Sequence, residues 1–351
     1  MKRRGWAVLA VAWFAAVALG WGAYMRSRWA EADRRAAARA RWLAAVEAVR
    51  APDAGTPDPA DDDLAERLLV HVRALAGERH TPADRARARG YIAHTLQALG
   101  YRPALLAFKE GVNLEVERPG LDPAAGTLLL GAHYDTVWGS EGADDNASGV
   151  AVVLELARLL QTPTARGLRL VFFDAEERDY AGSRAYVRSD ARIADLRGAI
   201  VLDMVGVTCP TPGCQQHPVG LPVRGPDTGD FLAVLGDIEH LELLHAFRRA
   251  QGARIFALPV PEKGAVLPTT RRSDHAPFWD RGVGAVLVTD TAELRNPRYH
   301  LPGDTPDTLD RAFLAAGTRR ILGAAQILLG GDPLKPGPGA PRLVPAPPES
   351  P

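Results

Sequence analysis

Mostly apolar segments of strand length alternate with helical patterns along the greater part of this 351-residue chain. Strands whose side chains are apolar on both faces are typical of a parallel sheet, because helices cover both faces of such a sheet. The strand-like segments are residues 127–132, 168–173, 199–205 and 284–289. Apolar residues recur at helical spacing in residues 64–75, 83–99, 148–160 and 180–188. The pattern predicts an α/β fold, a three-layer sandwich with a mostly parallel central sheet flanked by helices.

The N-terminus carries an uncharged segment, residues 5–25, that is long enough to cross a bilayer as a helix. Twenty-one helical residues rise about 30 Å, which matches the hydrocarbon thickness of a membrane. The segment is either an uncleaved anchor or a cleaved signal peptide, because Ala18-Leu19-Gly20 has small residues at the spacing that a signal peptidase accepts. Its length favours the anchor. Residues 1–28 are therefore assigned to a membrane anchor or signal segment.

Two features of the chain point to opposite orientations of this segment. More basic residues follow it than precede it, which places its C-terminal side in the cytoplasm. Cys209 and Cys214, the only cysteines, flank a Pro/Gly turn and are either a disulfide pair or two free thiols. A disulfide requires an oxidising compartment. We expect a membrane-anchored protein with a periplasmic catalytic domain, or a secreted protein if the segment is cleaved.

The rest of the chain divides into three parts by composition. Residues 29–62 read as a helical stalk followed by a Pro/Asp linker, residues 63–330 as the catalytic domain, and residues 331–351 as a disordered proline-rich tail. The formal net charge is zero, so no nucleic-acid partner is expected. The sequence does not determine the oligomeric state.

Histidine and carboxylate residues form five groups at the ends of predicted strands or in the loops beyond them. The groups are His133-Tyr134-Asp135, Asp144-Asp145-Asn146, Glu176-Glu177, Asp203 and Tyr299-His300. Each alone has a structural explanation, such as a polar turn, a helix cap or a buried ion pair. Together they favour a metal site, because histidine and carboxylate bind zinc and related ions, and parallel sheets bind ligands at this edge. Two histidines and three carboxylates suffice for two metals if one carboxylate bridges them, which indicates a two-metal hydrolase.

Neighbouring residues within these groups suggest different roles. Asp135 lies two residues after His133, so its carboxylate can accept the imidazole N–H and orient the ring. Glu176 and Glu177 repel one another unless a cation compensates, so one is expected to bind a metal and the other to act as a general base. Ser148 is expected to cap the helix that follows it.

The motifs GAHYDT, GADDNASG, DAEE, LDMVG, SDHAPF and NPRYHLPGDTPDTL, in this order over residues 64–328, resemble the co-catalytic zinc aminopeptidases. That family includes aminopeptidase Y and relatives of glutamate carboxypeptidase. The resemblance implies a zinc-peptidase fold, two zinc ions and a zinc-dependent exopeptidase that removes N-terminal residues from peptide substrates. It implies these roles: His133 and Asp203 on one zinc, Glu177 and His300 on the other, Asp145 as the bridge, Glu176 as general base and Asp135 as the partner of His133.

The resemblance also implies details that the residues alone leave open. It assigns the last ligand to His300 and places Ser273-Asp274-His275 along the site. It implies a cis peptide between Asp145 and Asn146. The 96 residues between Asp203 and His300 leave no room for the lid domain of a related clan of metallohydrolases.

Two other functions are consistent with the same fold. One is an acyltransferase that cyclises N-terminal glutamine with a single zinc, and the other is a non-catalytic, membrane-anchored binding ectodomain. The complete set of five ligands together with the base favours the metallo-aminopeptidase over both.

Overall fold

A computed structural model describes residues 2–49, 62–219, 221, 223 and 225–330. The chain divides into two units, Met1–Ala48 and Val49–Pro351. The linker residues 50–61 and the proline-rich tail, residues 331–351, lie outside the described residues.

The first unit is a single helix, α1 (Lys2–Ala48). The apolar segment predicted as an anchor and most of the predicted helical stalk therefore lie in one continuous helix. Most side chains of residues 5–25 lie outside the described ones, and those of residues 29–44 are mostly exposed. The assignment of residues 1–28 to a membrane anchor stays a prediction.

The second unit contains eight strands and eight further helices among its described residues. The strands are β1 (Ala104–Ala107), β2 (Val112–Arg118), β3 (Thr127–His133), β4 (Gly167–Phe173), β5 (Leu196–Leu202), β6 (Phe231–Asp237), β7 (Arg254–Val260) and β8 (Ala285–Thr289). The helices are α2 (Asp62–Leu75), α3 (Pro82–Ala98), α4 (Gly149–Leu159), α5 (Ala181–Val187), α6 (Asp190–Ile193), α7 (Leu241–Arg249), α8 (Ala276–Asp280) and α9 (Arg311–Leu329).

The strands form one sheet in the order β1-β2-β4-β3-β5-β8-β6-β7. The central strands β4, β3, β5 and β8 are mutually parallel, and β6 and β7 are parallel to each other. Antiparallel pairing joins β1 to β2, β2 to β4, and β6 to β8. The predicted α/β fold with a mostly parallel sheet is confirmed, and the four predicted strands form its centre.

Apolar side chains cover both faces of the central strands. In β3, Leu128 and Leu130 face the layer that contains α2, α4, α7 and α9, whereas Leu129 faces the layer that contains α5 and α8. Successive strand residues point to opposite faces. Both neighbours are therefore buried, and this explains why these segments read as continuous apolar runs.

The last helix, α9, is a core element. Asp310 caps its N-terminus by accepting hydrogen bonds from the backbone N–H groups of Ala312 and Phe313, at 3.1 and 3.0 Å. Among the residues whose side chains the structure describes, α9 is the one helix that is long and apolar enough to cross a bilayer. Because 67% of its most apolar stretch is buried, the helix has the character of a core helix.

The two cysteines lie in the loop between β5 and β6. Cys209 and Cys214 form a disulfide, and the backbone of Cys209 pairs with that of Gly229. The alternative of two free thiols is therefore excluded in this structure.

Candidate metal centre

The candidate ligands lie together at the carboxyl edge of the central strands. His133 is the last residue of β3, Asp203 follows β5 directly, and the Glu176-Glu177 pair lies in the loop after β4. Because β4, β3 and β5 are adjacent and parallel, their ends bring residues 26 to 70 positions apart in sequence into one site. His300 reaches the same edge from the loop between β8 and α9.

Asp145 lies between two groups of candidate ligands. Its Oδ1 is 3.3 Å from Nε2 of His133, and that nitrogen is 3.4 Å from Oδ1 of Asp203. Its Oδ2 is 3.1 Å from Nε2 of His300, which is 3.2 Å from Oε2 of Glu177. Within each of the two groups, the potential ligand atoms all lie within 4.8 Å of one another. One carboxylate therefore faces both groups, with one oxygen toward each.

The two groups fit zinc by donor type and by spacing. Donor atoms about 2.0–2.1 Å from a tetrahedral zinc ion lie about 3.3 Å from one another, which is close to the distances here. Oε1 of Glu177 is buried and has no hydrogen-bond partner among the described residues. A buried carboxylate oxygen without a donor is costly unless a cation or a water reaches it. The donor set thus suits two divalent cations that share Asp145.

Burial and mutual repulsion perturb the acidic groups of this centre. Burial, reinforced by the charge of Asp145, raises the pKa of Glu177 to about 7. Burial also raises the pKa of Glu176, and Asp203 and Asp274 act in the same direction. Carboxylates this close together repel one another, and bound metal ions would relieve this repulsion by their positive charge.

Asp135 connects His133 to the loop that carries the two glutamates. Its Oδ1 lies 3.4 Å from Nδ1 of His133 and accepts a hydrogen bond from the backbone N–H of Glu176 at 3.0 Å. Its Oδ2 accepts one from the backbone N–H of Glu177 at 3.3 Å. The two side chains are neighbours as predicted, although Nδ1 of His133 forms no hydrogen bond among the described residues. The anchoring of the glutamate loop by Asp135 is not predicted from the sequence.

The segment that carries Asp145 contains the cis peptide Asp145-Asn146. The Asn146 side chain donates to Leu202 O at 2.8 Å and accepts from the backbone N–H of Gly149 and Met204, which ties the segment to the end of β5. A Cβ at position 149 would lie 2.3 Å from Oδ1 of Asn146, so only glycine fits at the start of α4. The hydrogen bonds of Asn146 are not predicted from the sequence.

Ser148 does not cap α4, contrary to the expectation from the sequence. Its hydroxyl donates to Asp144 O at 2.7 Å and accepts from the backbone N–H of Val205 at 3.1 Å. Asp304 holds the segment from the other side, because its carboxylate accepts from the backbone N–H groups of Asp144 and Asp145 at 2.9 and 3.0 Å. Burial raises the pKa of Asp304 to about 7.

His275 lies outside both ligand groups. It is fully buried, its Nε2 donates to Thr270 O at 2.8 Å, and its ring packs edge-on against Trp279. Burial lowers its pKa to about 4. The geometry thus brings His300, and not His275, to Asp145 and Glu177.

We expect His275 to make the protein acid-sensitive. Its pKa is lower in the folded than in the unfolded chain, so its contribution to stability is complete above pH 6.5 and is lost as the pH falls toward 4. The loss is about 3 kcal/mol for a fully buried group. The measurement is the free energy of unfolding from pH 7.5 to 4 for the wild type and for His275→Gln. The variant should lose less stability, and parallel curves would contradict the expectation.

Arg79 is a buried cation next to the segments that carry Asp135 and Asp145. It is 2% exposed and its guanidinium donates to backbone carbonyls instead of to a carboxylate. The acceptors are the carbonyl oxygens of Leu75, Gly77, Tyr134, Glu141 and Gly142. Burial lowers its pKa to about 10, against the effect of Asp145, Asp135, Asp304 and Glu177, so it stays charged at neutral pH. The turn GERH in which it lies has no pattern that predicts this position.

Substitution of Arg79 by lysine should be strongly destabilising. Lysine keeps the charge but cannot replace the planar set of donors, so several buried carbonyls lose their partners. We expect a loss of about 2–4 kcal/mol in the free energy of unfolding, measured with urea. Arg87→Lys, at an exposed ion pair with Asp84, is the matched control and should change stability by less than about 0.5 kcal/mol.

A cavity of about 360 Å³ opens beside the metal centre. Asp145, Glu176, Glu177, Asp203 and His300 form one end of it. Residues of β6, β7 and β8 and two loop segments, residues 215–218 and 267–272, also contribute to its lining. The volume is in the range typical of small-molecule sites.

Comparison with known proteins places these features in a family. The model of Peptidase family M28 matches residues 113–325. The chain is 38% identical to the Uncharacterized protein YfbL of Escherichia coli over 213 residues, which are 55% of this chain and 64% of YfbL. It is 42% identical to Aminopeptidase YwaD of Bacillus subtilis over 194 residues, 53% of this chain and 38% of YwaD. The match thus spans less than two thirds of either relative.

Solved structures share the fold at low sequence identity. An aminopeptidase from Aneurinibacillus sp. strain AM-1 superposes with a TM-score of 0.60 at 16% identity, covering 78% of this chain and 96% of the other. The glutaminyl cyclase of Macrostomum lignano superposes with a TM-score of 0.57 at 20% identity, covering 81% and 98%. Both similarities concern the fold alone.

Proposed function

Because this chain belongs to peptidase family M28, we propose that it is a zinc-dependent aminopeptidase that uses two metal ions and hydrolyses N-terminal residues from peptides. The observation that carries the proposal is the position of Asp145, whose two oxygens face two separate groups of ligands. His133 and Asp203 would hold one zinc, and Glu177 and His300 the other. Aminopeptidase relatives support the reaction class.

Each residue of the centre has a distinct role in this proposal. Bound zinc ions would polarise the scissile carbonyl and make a water molecule more acidic. Glu176 lies at the cavity wall, with a raised pKa, and is placed to take a proton from the attacking water and deliver it to the leaving amine. Asp135 binds the backbone N–H of Glu176 and lies 3.4 Å from Nδ1 of His133, where it would orient the ring.

The charges around the cavity favour an amine over a carboxylate as the recognised end of the peptide. Arg272 is the one lysine or arginine among the described residues that line the cavity. Its guanidinium is already paired with Glu293 and donates to the hydroxyl of Tyr299. It is therefore a weak partner for a C-terminal carboxylate. A substrate amine would instead bind near a zinc ion or near an acidic side chain that holds no metal.

The test combines metal analysis with a substrate panel. Purified protein is analysed for zinc per chain and assayed on peptides that have a free N-terminus, a blocked N-terminus or an amidated C-terminus. We expect two zinc ions, release of the first residue only from peptides with a free N-terminus, and loss of activity after chelation that added zinc restores. Cleavage of blocked peptides, or release of C-terminal residues, would contradict the aminopeptidase assignment.

The cyclase alternative is tested in the same assay. An acyltransferase would convert peptides with N-terminal glutamine into pyroglutamyl peptides with release of ammonia, and one zinc per chain would suffice. We expect free glutamine and no ammonia from these peptides. If the purified protein bound no metal, the result would instead favour the interpretation as a non-catalytic binding ectodomain.

The proposal includes membrane association through α1. The uncharged segment, residues 5–25, is long enough to span a bilayer, and it is helical. The disulfide Cys209–Cys214 favours an extracytoplasmic location for the second unit, because cytoplasmic thiols are kept reduced. Fractionation of cells, with protease added to intact spheroplasts, tests both the association and the orientation.

A further inference from the structure

Strand β1 (Ala104–Ala107) forms one edge of the sheet and, among the described residues, pairs with β2 alone. Three of its four residues are exposed, and Leu105 is 60% exposed. Natural proteins keep edge strands from pairing with other chains by making them short or by placing charged residues, prolines or bulges in them. Apart from its shortness, β1 has none of these devices, since its sequence is ALLA and it pairs with β2 without a bulge. The edge is therefore open to another strand.

The neighbouring strand shows which backbone groups of β1 face the open edge. Val112 of β2 is paired with Ala107, and both of its backbone groups bind away from β1. Its N–H donates to Oδ2 of Asp174 at 2.8 Å, and its carbonyl oxygen accepts from the hydroxyl of Tyr134 at 2.7 Å. Bonded and non-bonded pairs alternate along an antiparallel ladder. Ala107 and Leu105 therefore direct their N–H and C=O groups outward, away from β2.

From this edge we propose that two copies of the protein form a symmetric dimer in which β1 of one copy pairs antiparallel with β1 of the other. Leu105 of each copy would lie opposite Ala107 of the second copy, so that four outward N–H groups meet four outward C=O groups. Leu106 would lie opposite Leu106 on the two-fold axis, as an apolar cross-strand pair. The dimer is independent of the proposed function, because no residue of β1 lines the cavity.

The charges that flank β1 are complementary in this arrangement. Arg102 precedes the strand, Glu110 follows it, and both are exposed. Arg102 has no ion pair within the part of the chain that the structure describes. Glu110 is 3.6 Å from the ammonium group of Lys109, whose side chain is 92% exposed, so that solvent weakens the pair. In the dimer, Arg102 of each copy would lie opposite Glu110 of the second copy, which gives two ion pairs across the axis.

Two other registers let outward groups face one another, but both lose bonds. A shift of two residues toward the N-terminus pairs Leu105 with Leu105 and places Ala107 opposite Pro103, which has no N–H to donate. The opposite shift places Leu105 opposite Lys109, which lies in the bend between β1 and β2. Neither shift pairs the flanking charges. The proposed register is therefore the one that pairs all four outward groups of each copy as well as the charges.

The size of the contact predicts a weak dimer. Two short strands bury less than the roughly 800 Å² per partner that is usual for a stable complex, so we expect a dissociation constant of about 10 µM. The measurement is sedimentation velocity of the full chain in a density-matched detergent, from about 1 to about 100 µM. The dimer should change from the minor to the major species over this range, and the rate of hydrolysis per chain should stay constant.

Exchange of the flanking charges tests the register. Arg102→Glu and Glu110→Arg each place like charges opposite one another and should each raise the dissociation constant by about tenfold. The double variant restores opposite charges and should return the constant to within about threefold of the wild type. Arg67→Glu, the same change at an exposed position of α2, is the matched control and should leave the constant unchanged.

A proline tests the pairing of the strands themselves. Ala107→Pro removes an outward N–H and leaves the hydrogen bonds between β1 and β2 in place. It should abolish the dimer up to about 100 µM while thermal unfolding stays unchanged. If this variant does not fold, the charge exchange still tests the dimer, because its positions are exposed.

A cysteine on the axis gives a test that does not depend on affinity. Leu106→Cys should form an intermolecular disulfide on oxidation, because cross-strand neighbours in a non-bonded pair have close Cβ atoms. Ala104→Cys is the matched control, since its two copies would lie about 13 Å apart along the strands, and it should not be cross-linked.

Two results would overturn the proposed dimer. One is a protein that stays monomeric over the whole concentration range. The other is a dimer that Ala107→Pro and Arg102→Glu leave unchanged, because association would then occur through another surface. Both results would leave the aminopeptidase assignment intact, since that assignment is tested by zinc content and substrate cleavage.

Discussion

Glu176→Gln should reduce kcat by roughly a thousandfold while both zinc ions stay bound, because the amide cannot accept the proton of the attacking water. Glu176 is a neighbour of the candidate ligand Glu177 but belongs to neither ligand group. Its side chain is 8% exposed and faces the cavity, so a change of one atom there should leave the fold intact. The measurements are kcat on an aminoacyl substrate and zinc content by mass spectrometry.

The control for this variant is Glu141→Gln, which makes the same change at an exposed carboxylate outside the cavity lining. It should leave both kcat and zinc content unchanged. Full activity of Glu176→Gln would show that another group serves as the base. Loss of zinc from it would instead indicate that Glu176 is a ligand.

Asp145→Asn should remove zinc from both groups, whereas a change in an unshared ligand should remove zinc from one. A neutral amide oxygen is a weaker zinc ligand than a carboxylate, and Asp145 is the residue that both groups contain. After dialysis at a fixed free zinc concentration, we expect about two zinc ions in the wild type and about one in Asp203→Asn and Glu177→Gln. Asp145→Asn should hold fewer than one.

Asp307→Asn is the matched control, because Asp307 is an exposed carboxylate seven residues after His300 and belongs to neither group. It should retain both ions. If Asp145→Asn kept two zinc ions, the shared position of this carboxylate would have no role in metal binding. If Asp203→Asn lost both, the two sites would not be separable.

The sequence predicts the centre of the fold better than its edges. The segments that became β3, β4 and β5 are buried on both faces, so each of them reads as a continuous apolar run. The edge strand β1 is mostly exposed, and β2 carries alternating charged residues, so neither has this pattern. The strands β6 and β7 are also not among the predicted strands, although their sequences are largely apolar.

In the candidate site, the metal ligands can be predicted from residue type, whereas the residues that support them cannot. Histidine and carboxylate groups at the ends of several strands together indicate ligands such as His133 and Asp203, because these residue types bind zinc and the strand ends meet at one edge of the sheet. Arg79, Asn146 and Asp304 bind backbone groups, and any segment of chain offers such groups. The choice of partner depends on the tertiary fold and leaves no pattern in the sequence.

The position of the last ligand along the chain determines when the metal centre can form during synthesis. His300 comes from a loop that precedes α9, and α9 packs against α2 and α7 to complete the core. During synthesis the earlier strands emerge first, at roughly 5–20 residues per second. The ligand group of Asp145, Glu177 and His300 can be assembled only after all eight strands and the loop that follows β8 have been made. The proposed two-metal centre therefore stays incomplete until the loop before α9 has joined the sheet.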